Sequence, residues 1–200
     1  MEGAVRLVGE GLLSAQIGDA KRHPERAVLW WAGQHGFVLC LNGTAIGIDL
    51  YLKDEQRRLF PPVLRPDELG VLDALLGTHD HADHIDHSFW PGLARRAGGP
   101  TLVVPAYDRD RLAGAWGVPR DRLVGARAGE AMDVGPVGIR ALPAAHERRE
   151  RDPETGADRF LGFVLRTESL CVYHAGDTVP FEGLEPSVRE ARPDVMLLPI

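Results

Sequence analysis

Short apolar runs separated by turn residues recur along the chain, and they predict a fold rich in β-strands. Two of these runs lie on either side of Asn42-Gly43, a dipeptide that strongly favours a two-residue β-hairpin. A second hairpin is predicted around Thr167 to Ser169, because apolar runs flank these residues too. Strands are predicted at residues 27–31, 37–41, 44–49, 72–78, 101–104, 137–142, 161–166, 170–173 and 194–198, and helices at residues 88–97, 107–115 and 188–191.

The recurrence of hairpins favours a layered α/β sandwich over a doubly wound parallel sheet. No internal repeat, low-complexity tract or linker divides the chain, so residues 1–200 are predicted to form a single domain. The run from Val195 to Ile200 is apolar and stops at the end of the sequence. Because chain termini usually lie in exposed segments, we expect the C-terminal portion of the domain to be missing from this sequence.

Composition and charge exclude several classes of protein. The net charge of −6 argues against a nucleic-acid-binding surface, which needs clustered cations. No apolar run reaches the ~18 residues of a transmembrane helix, and the N-terminus lacks a signal-peptide pattern, so we expect a cytoplasmic protein without a membrane span. The sequence is compatible with a homo-oligomer. Cys40 and Cys171 lie in apolar runs, which excludes a disulfide scaffold and a zinc site built from cysteines.

The histidines carry most of the chemical information, since four of the eight cluster in one short segment. The pattern H-x-H-x-D-H at residues 79–84 directly follows a predicted strand. In an extended segment, imidazoles two residues apart point to the same side, so His79 and His81 can bind one cation. Asp83 and His84, in the turn that follows, can reach a second cation. Imidazole and carboxylate ligands suit Zn, Fe or Mn.

Two later segments offer further ligands. His146 follows a predicted strand, and we interpret it as a third imidazole for the first cation rather than as a capping residue. Asp177 also follows a predicted strand, and Gly176 leaves room beside it. A carboxylate there can bridge two cations, whereas the alternative is an ordinary turn. The residues therefore predict a centre with two metal ions.

The order of these candidate ligands resembles that of the metallo-β-lactamase fold superfamily: H-x-H-x-D-H, a later His, and a later Asp in a G-D-T sequence. The resemblance is closest to the L-ascorbate-6-phosphate lactonase branch and is carried by residues 30–37, 48–52, 78–86, 115–119 and 173–178. It implies an α/β (α+β) fold, an αββα sandwich of two mixed sheets flanked by helices. Relatives of N-acyl-phosphatidylethanolamine phospholipase D share the Trp-x-Gly opening and the ligand motif.

The resemblance also implies a metal role for six residues and a cofactor of two divalent ions, Zn or Mn, with Fe possible. The superfamily pattern needs one more histidine late in the chain for the second ion, and none follows His174. The second metal site is therefore expected to be either incomplete in this sequence or altered. The implied ligands are His79, His81 and His146 for the first ion, Asp83 and His84 for the second, and Asp177 as the bridge.

The expected mechanism is hydrolysis by a metal-bound hydroxide, because a divalent ion lowers the pKa of the water it binds to about 7. Asp83 is the candidate catalytic residue, which would bind metal and hold the hydroxide by a hydrogen bond. The leading hypothesis is a metal-dependent hydrolase of a small lactone or phosphorylated metabolite. The alternatives are a phosphodiesterase of the same fold, similar to phospholipase D or to a nuclease, and a non-catalytic metal-binding homologue.

Metal-bound histidines usually donate their second N–H to a carboxylate or a carbonyl. Asp49, at the end of a predicted strand, is a candidate for this contact, and Asp80 or Asp86 could make it instead. His174 is a candidate for a similar place behind the ligands, or for packing beneath them.

Three further residues are candidates for binding the substrate. His35 lies in the loop that the resemblance places near the metals, although a histidine in a hairpin turn is often exposed. Arg148 and Arg149 lie in the charged segment after His146 and could bind a substrate phosphate. The alternative for that segment is a solvated loop whose charges pair with one another.

Overall fold

Two β-sheets form the centre of the molecule in the computed structural model, which describes residues 12–199. In spatial order, the first sheet contains β1 (Val28–Gly33), β2 (Gly36–Leu41), β3 (Thr44–Ile48), β4 (Ala74–Leu76), β5 (Thr101–Pro105) and β6 (Val124–Ala126). The second sheet contains β7 (Ala131–Val134), β8 (Val137–Pro143), β9 (Leu161–Arg166), β10 (Cys171–His174) and β11 (Val195–Leu197).

Both sheets combine parallel and antiparallel pairs. In the first sheet, β1, β2 and β3 are antiparallel neighbours, whereas β3 to β6 run parallel to one another. In the second sheet, β7 to β10 are antiparallel neighbours, and β11 is parallel to β10. Both sheets are therefore mixed, as predicted.

Helices cover the outer faces of the two sheets. The helices are α1 (Leu12–Lys21), α2 (Trp90–Arg95), α3 (Ala106–Trp116) and α4 (Leu184–Ala191). The first three pack on the first sheet, and α4 packs on the second sheet. Within residues 12–199, no helix has the length and apolar character that crossing a membrane requires.

Buried apolar side chains fill the three spaces between these four layers. Neighbouring residues of β2 contribute to two of these spaces. Val38 faces the helices, whereas Leu39 faces the second sheet. Phe163 of β9 meets Leu39 in the space between the sheets. Tyr173 of β10 and Ala191 of α4 close the third space. The predicted αββα sandwich is confirmed.

Both predicted hairpins are present. Asn42 and Gly43 have φ angles of 48° and 77°, and they join β2 to β3 with Leu41 paired to Thr44. Positive φ at both central residues suits the twist of the flanking strands and explains why this dipeptide is favoured. The second hairpin joins β9 to β10, with Arg166 paired to Cys171.

Strand β4 is shorter than the apolar run at residues 72–78, and the reason bears on the site. The backbone N–H of Gly77 still donates to the carbonyl of Val103, at 2.9 Å. The next N–H, of Thr78, donates instead to Asp49 Oδ1 at 2.8 Å. At this point a side-chain carboxylate, and not the carbonyl group of a neighbouring strand, accepts the backbone hydrogen bond. The chain leaves the sheet there and enters the histidine motif.

Strand direction brings the candidate ligands to one edge of the sandwich. The chain leaves the parallel strands β3 and β4 at the same edge, where Asp49 and the segment 78–84 follow them. Strands β8 and β10 also run in one direction, and they are followed by His146 and Asp177. The turn between β1 and β2, which holds His35, lies beside the end of β3, because Phe37 pairs with Ile48.

Candidate metal centre

Three histidines from two loops form a first group of donor atoms: His79, His81 and His146. One donor atom from each lies within 4.8 Å of the others. His79 Nε2 and His81 Nδ1 face each other at 2.9 Å, so these are the nitrogens directed into the group. The ring of Phe160 packs against all three imidazoles, with centroid distances between 5.3 and 6.3 Å.

A second group lies beside the first and contains His35, His84 and Asp177. His84 Nε2 lies 3.3 Å from Asp177 Oδ2, and His35 Nε2 lies 3.0 Å from Asp177 Oδ1. His84 is fully buried, and its Nε2 atom makes no hydrogen bond. A buried polar atom without a hydrogen bond is uncommon in proteins and suggests a partner such as an ion.

Asp177 joins the two groups. Its Oδ2 atom lies 3.3 Å from His84 Nε2 and 3.6 Å from His146 Nε2, so one carboxylate oxygen faces both. Ligands held about 2.0–2.1 Å from a tetrahedral zinc ion are about 3.3 Å apart. The two distances match that separation closely, and the donor types are those that Zn, Mn or Fe prefer. The side chains therefore fit a pair of divalent ions that share Asp177.

Asp49 and Thr78 hold the imidazoles from behind. Asp49 is fully buried and has a φ of 49°, and its carboxylate accepts hydrogen bonds from Thr78 and His84. The distance from His84 Nδ1 to Asp49 Oδ2 is 2.8 Å, so this contact orients the His84 ring and leaves Nε2 free for a ligand. Thr78 Oγ1 donates to Asp49 at 2.8 Å and lies 3.1 Å from His79 Nδ1. His79 Nε2 is then the nitrogen with the free lone pair.

These contacts set opposite protonation preferences for two neighbouring histidines. Burial and the positive charge of His84 lower the pKa of His79 to about 3, so its imidazole is neutral at neutral pH. Burial opposes the charged form of His84 as well, but Asp49 and Asp177 outweigh it and raise the pKa of His84 to about 10. Burial also opposes ionisation of Asp177, yet His84 holds the pKa of that carboxyl below its ordinary value. The charge of His84 balances two carboxylates that a cation could balance instead.

Asp83 lies at the margin of the second group. Its Oδ2 atom is 3.9 Å from His84 Nε2, and its side chain is 46% exposed. It belongs to neither cluster of donor atoms but lines the cleft beside them. This position suits a group that contacts water or substrate.

His174 lies beneath the centre and supports the turn that carries His35. Its Nε2 atom lies 2.9 Å from the carbonyl oxygen of His35, and its Nδ1 accepts the N–H of Gly176 at 3.2 Å. Burial lowers the pKa of His174, which is consistent with a neutral ring that donates through one nitrogen and accepts through the other. His174 was expected to contact a ligand side chain from behind. It contacts the backbone of His35 instead.

The two other carboxylates considered for contacts to ligands have different partners. Asp80 pairs with His87 and with Arg111 of α3. Asp86 accepts the backbone N–H groups of Leu52 and Ser88. The structure thus places Asp49, and neither of these two, behind the second group.

The charged segment after His146 is largely paired internally. Arg149 contacts Asp158 through two nitrogens, at 2.6 and 3.2 Å, and Asp158 is buried. Arg148 is exposed and lies 3.5 Å from Glu150. These ion pairs resemble the alternative of a mixed-charge loop more than a row of free cations.

Sequence reasoning missed Thr78 and Phe160. Thr78 directly precedes the motif, and a hydroxyl at the end of a buried strand was a signal that could have pointed to it. Phe160 precedes β9, far from the motif in sequence, and no local pattern indicates that its ring packs on His79, His81 and His146.

A cleft of about 430 Å³ opens beside the second group. No lysine or arginine lines it, and Asp83 is its one acidic residue among those described. The lining residues are Trp31, Gln34, His35, Phe37, Asp83, His174, Gly176, Leu197 and Leu198.

Comparisons with known proteins show what the chain is similar to. The family model for the beta-lactamase superfamily domain matches residues 46–200. A UPF0173 metal-dependent hydrolase of Myxococcus xanthus is 33% identical over 179 residues, covering 86% of this chain and 60% of that protein. An Escherichia coli protein named "Probable L-ascorbate-6-phosphate lactonase UlaG" is 30% identical over 205 residues, covering 83% of this chain and 58% of that protein. The chain thus spans less than two thirds of the length of each.

A solved structure supports the fold. Igni18, a metallo hydrolase of the archaeon Ignicoccus hospitalis, superposes with a TM-score of 0.63 at 24% identity. The superposition covers 87% of this chain and 70% of that protein.

Proposed function

This chain belongs to the beta-lactamase superfamily, and we propose that it is a metal-dependent hydrolase with two divalent ions, Zn or Mn, at the edge of its sandwich. The observation that carries the proposal is the position of Asp177 Oδ2, which lies 3.3 Å from His84 and 3.6 Å from His146. A carboxylate oxygen in this position can be shared by two adjacent cations.

The chain's own residues have distinct roles in this proposal. His79, His81 and His146 would hold the first ion and His84 the second, and Asp177 would be shared by both. When bound, such ions polarise a carbonyl or phosphoryl oxygen and lower the pKa of water from 15.7 to about 7.

Asp83 acts on the reacting water in this proposal. Its half-exposed carboxylate faces the cleft, where it can accept a hydrogen bond from the water and orient it toward the substrate. Its Oδ2 atom lies 3.9 Å from His84 Nε2, so Asp83 would also be available as a ligand of the second ion.

The cleft favours a small lactone or ester as the substrate. Trp31, Phe37 and Leu197 offer apolar surface there, and no lysine or arginine of the described residues lines it. A substrate phosphate is usually bound by such cations. The name of the Escherichia coli relative points to a phosphorylated lactone, and the exposed Arg148, in the segment after His146, is a candidate for binding such a phosphate.

The first experiment is metal analysis combined with a matched pair of substrates. We expect close to two equivalents of Zn or Mn per chain, and hydrolysis that a chelator removes and added metal restores. A neutral lactone and its phosphorylated counterpart then give two values of kcat/KM, and we expect the neutral one to be higher. A protein that binds no metal after reconstitution would contradict the proposal.

A further inference from the structure

We propose that His35, in the turn between β1 and β2, is a protein ligand of the second metal ion. This assignment rests on the proposed two-ion hydrolase and adds a residue to its second site. It gives that site three protein donors, which are His35, His84 and Asp177.

Distances place the His35 imidazole at the second position rather than in the solvent. Its Nε2 atom lies 3.0 Å from Asp177 Oδ1. Its ring stacks beside the ring of His84, with centroids 5.1 Å apart. One donor atom from each of His35, His84 and Asp177 lies within 4.8 Å of the other two, whereas Asp83 lies outside this cluster.

The backbone of the turn is fixed by side chains on both sides. Trp31 Nε1 donates to the carbonyl of Gln34 at 2.9 Å. The buried His174 lies 2.9 Å from the carbonyl oxygen of His35. Gln34 has a φ of 47°, a conformation that residues other than glycine seldom adopt. A turn held in this way presents its side chain at a defined place, as a metal ligand requires.

Close packing ties the same turn to the support of His84. A Cβ atom on Gly36 would lie 3.0 Å from the carbonyl oxygen of Asp49. Asp49 in turn orients the ring of His84, at 2.8 Å from its Nδ1. The turn that carries His35 and the ring of His84 are therefore both held against Asp49, which fixes the positions of the two imidazoles beside Asp177.

A third protein donor suits the chemistry of the second position. Catalytic zinc sites keep three protein ligands and leave a further position open for water or substrate. The fully buried Nε2 atom of His84 has no hydrogen bond, and Asp177 Oδ2 is shared with the first group. His35 supplies a nitrogen donor from the side of the cleft, which Asp83 also lines.

The test measures metal binding to the full chain by equilibrium dialysis with Zn, and by the visible spectrum of the Co-substituted protein. His35→Ala is expected to keep the first equivalent and to bind the second at least about 100-fold more weakly, since loss of even an indirect partner of a ligand costs about 10–100-fold. His35→Gln keeps a hydrogen-bond donor for Asp177 but is a poor ligand for zinc, and we expect it to behave like His35→Ala. His23→Ala, at an exposed histidine paired with Glu25, is the matched control and should bind both ions normally.

Two results would overturn the assignment while leaving the two-ion hydrolase intact. If His35→Ala binds both equivalents as tightly as the unmodified protein and loses only activity, His35 contacts substrate. If His35→Gln restores tight binding of the second ion, His35 acts through its polar contact with Asp177 rather than as a ligand. Failure of the unmodified protein to bind a second ion would instead count against the proposed function itself. Circular dichroism of each variant distinguishes a lost ligand from a lost fold.

Discussion

The two donor groups lie on either side of Asp177, but the chain builds them differently. The first draws His79 and His81 from one short segment and adds His146 from the loop after β8. The second draws His35, His84 and Asp177 from three separate segments. Each group has one buried and two half-buried residues, but the first packs on Phe160, whereas the buried His84 of the second rests on the carboxylate of Asp49.

Because of this difference, the histidines are expected to contribute unequally to the stability of the fold. His81 and His146 are half-buried, and the described residues give neither of them a buried charged partner. His84 is fully buried against Asp49, so its imidazole contributes to the stability of the fold whether or not an ion is bound. Replacing His84 should therefore cost more stability than replacing His81 or His146.

The largest expected effect comes from the residue that the two groups share. Asp177→Asn keeps the shape of the side chain but removes the charge that lies between His84 and His146. We expect both ions to bind more weakly and hydrolysis to fall by more than about 100-fold. Metal analysis and a turnover assay measure the two effects.

Asp133→Asn, at an exposed position in β7, is the matched control for that change. It should retain both ions and full activity. Loss of one ion alone from Asp177→Asn would show that the carboxylate belongs to a single group and would break the proposed bridge.

The second prediction compares one histidine from each group in protein freed of metal. His84→Ala leaves the buried carboxylate of Asp49 without its charged partner, which should lower the free energy of unfolding by about 3–5 kcal/mol. His81→Ala truncates a half-buried ring and should cost no more than about 1 kcal/mol. Urea denaturation in the presence of a chelator measures both. Equal losses would remove the distinction between the groups.

The sequence predicted the first group more completely because its information is local. Two histidines at a spacing of two, directly after an apolar strand, can be recognised without knowing the fold. His146 and Asp177 could be added because each follows a predicted strand, and strand ends of one sandwich meet at one edge. The αββα architecture itself followed from the hairpins together with the family resemblance, and it is confirmed.

The second group depends on contacts that no local pattern contains. His35 occupies a hairpin turn, for which sequence alone favours exposure, and its position depends on His174 from the other sheet. Asp83 was predicted as a ligand from the motif, yet it lies 3.9 Å from His84 and outside the donor cluster. Its metal-binding and catalytic roles stay predictions that metal analysis of Asp83→Asn can test.

The smallest expected effect on metal affinity concerns Thr78, a side chain behind both groups. The Thr78 hydroxyl donates to Asp49 and lies within 3.3 Å of both His79 Nδ1 and His84 Nδ1. Thr78→Val keeps the shape but removes this hydroxyl, so the free energy of unfolding should fall by about 1–3 kcal/mol. The affinity for each ion should fall by about 10–100-fold, because both imidazoles lose an orienting contact.

Thr78→Ser retains the hydroxyl and should restore most of that loss, which makes it the control for Thr78→Val. Separate titration of the two equivalents decides how far the groups are independent. If Thr78→Val weakens only the second ion, His79 is oriented by Phe160 and its own loop rather than by Thr78. If both ions weaken together, as the hydroxyl's contacts to His79 and His84 indicate, the two groups share one support although they bind separate ions.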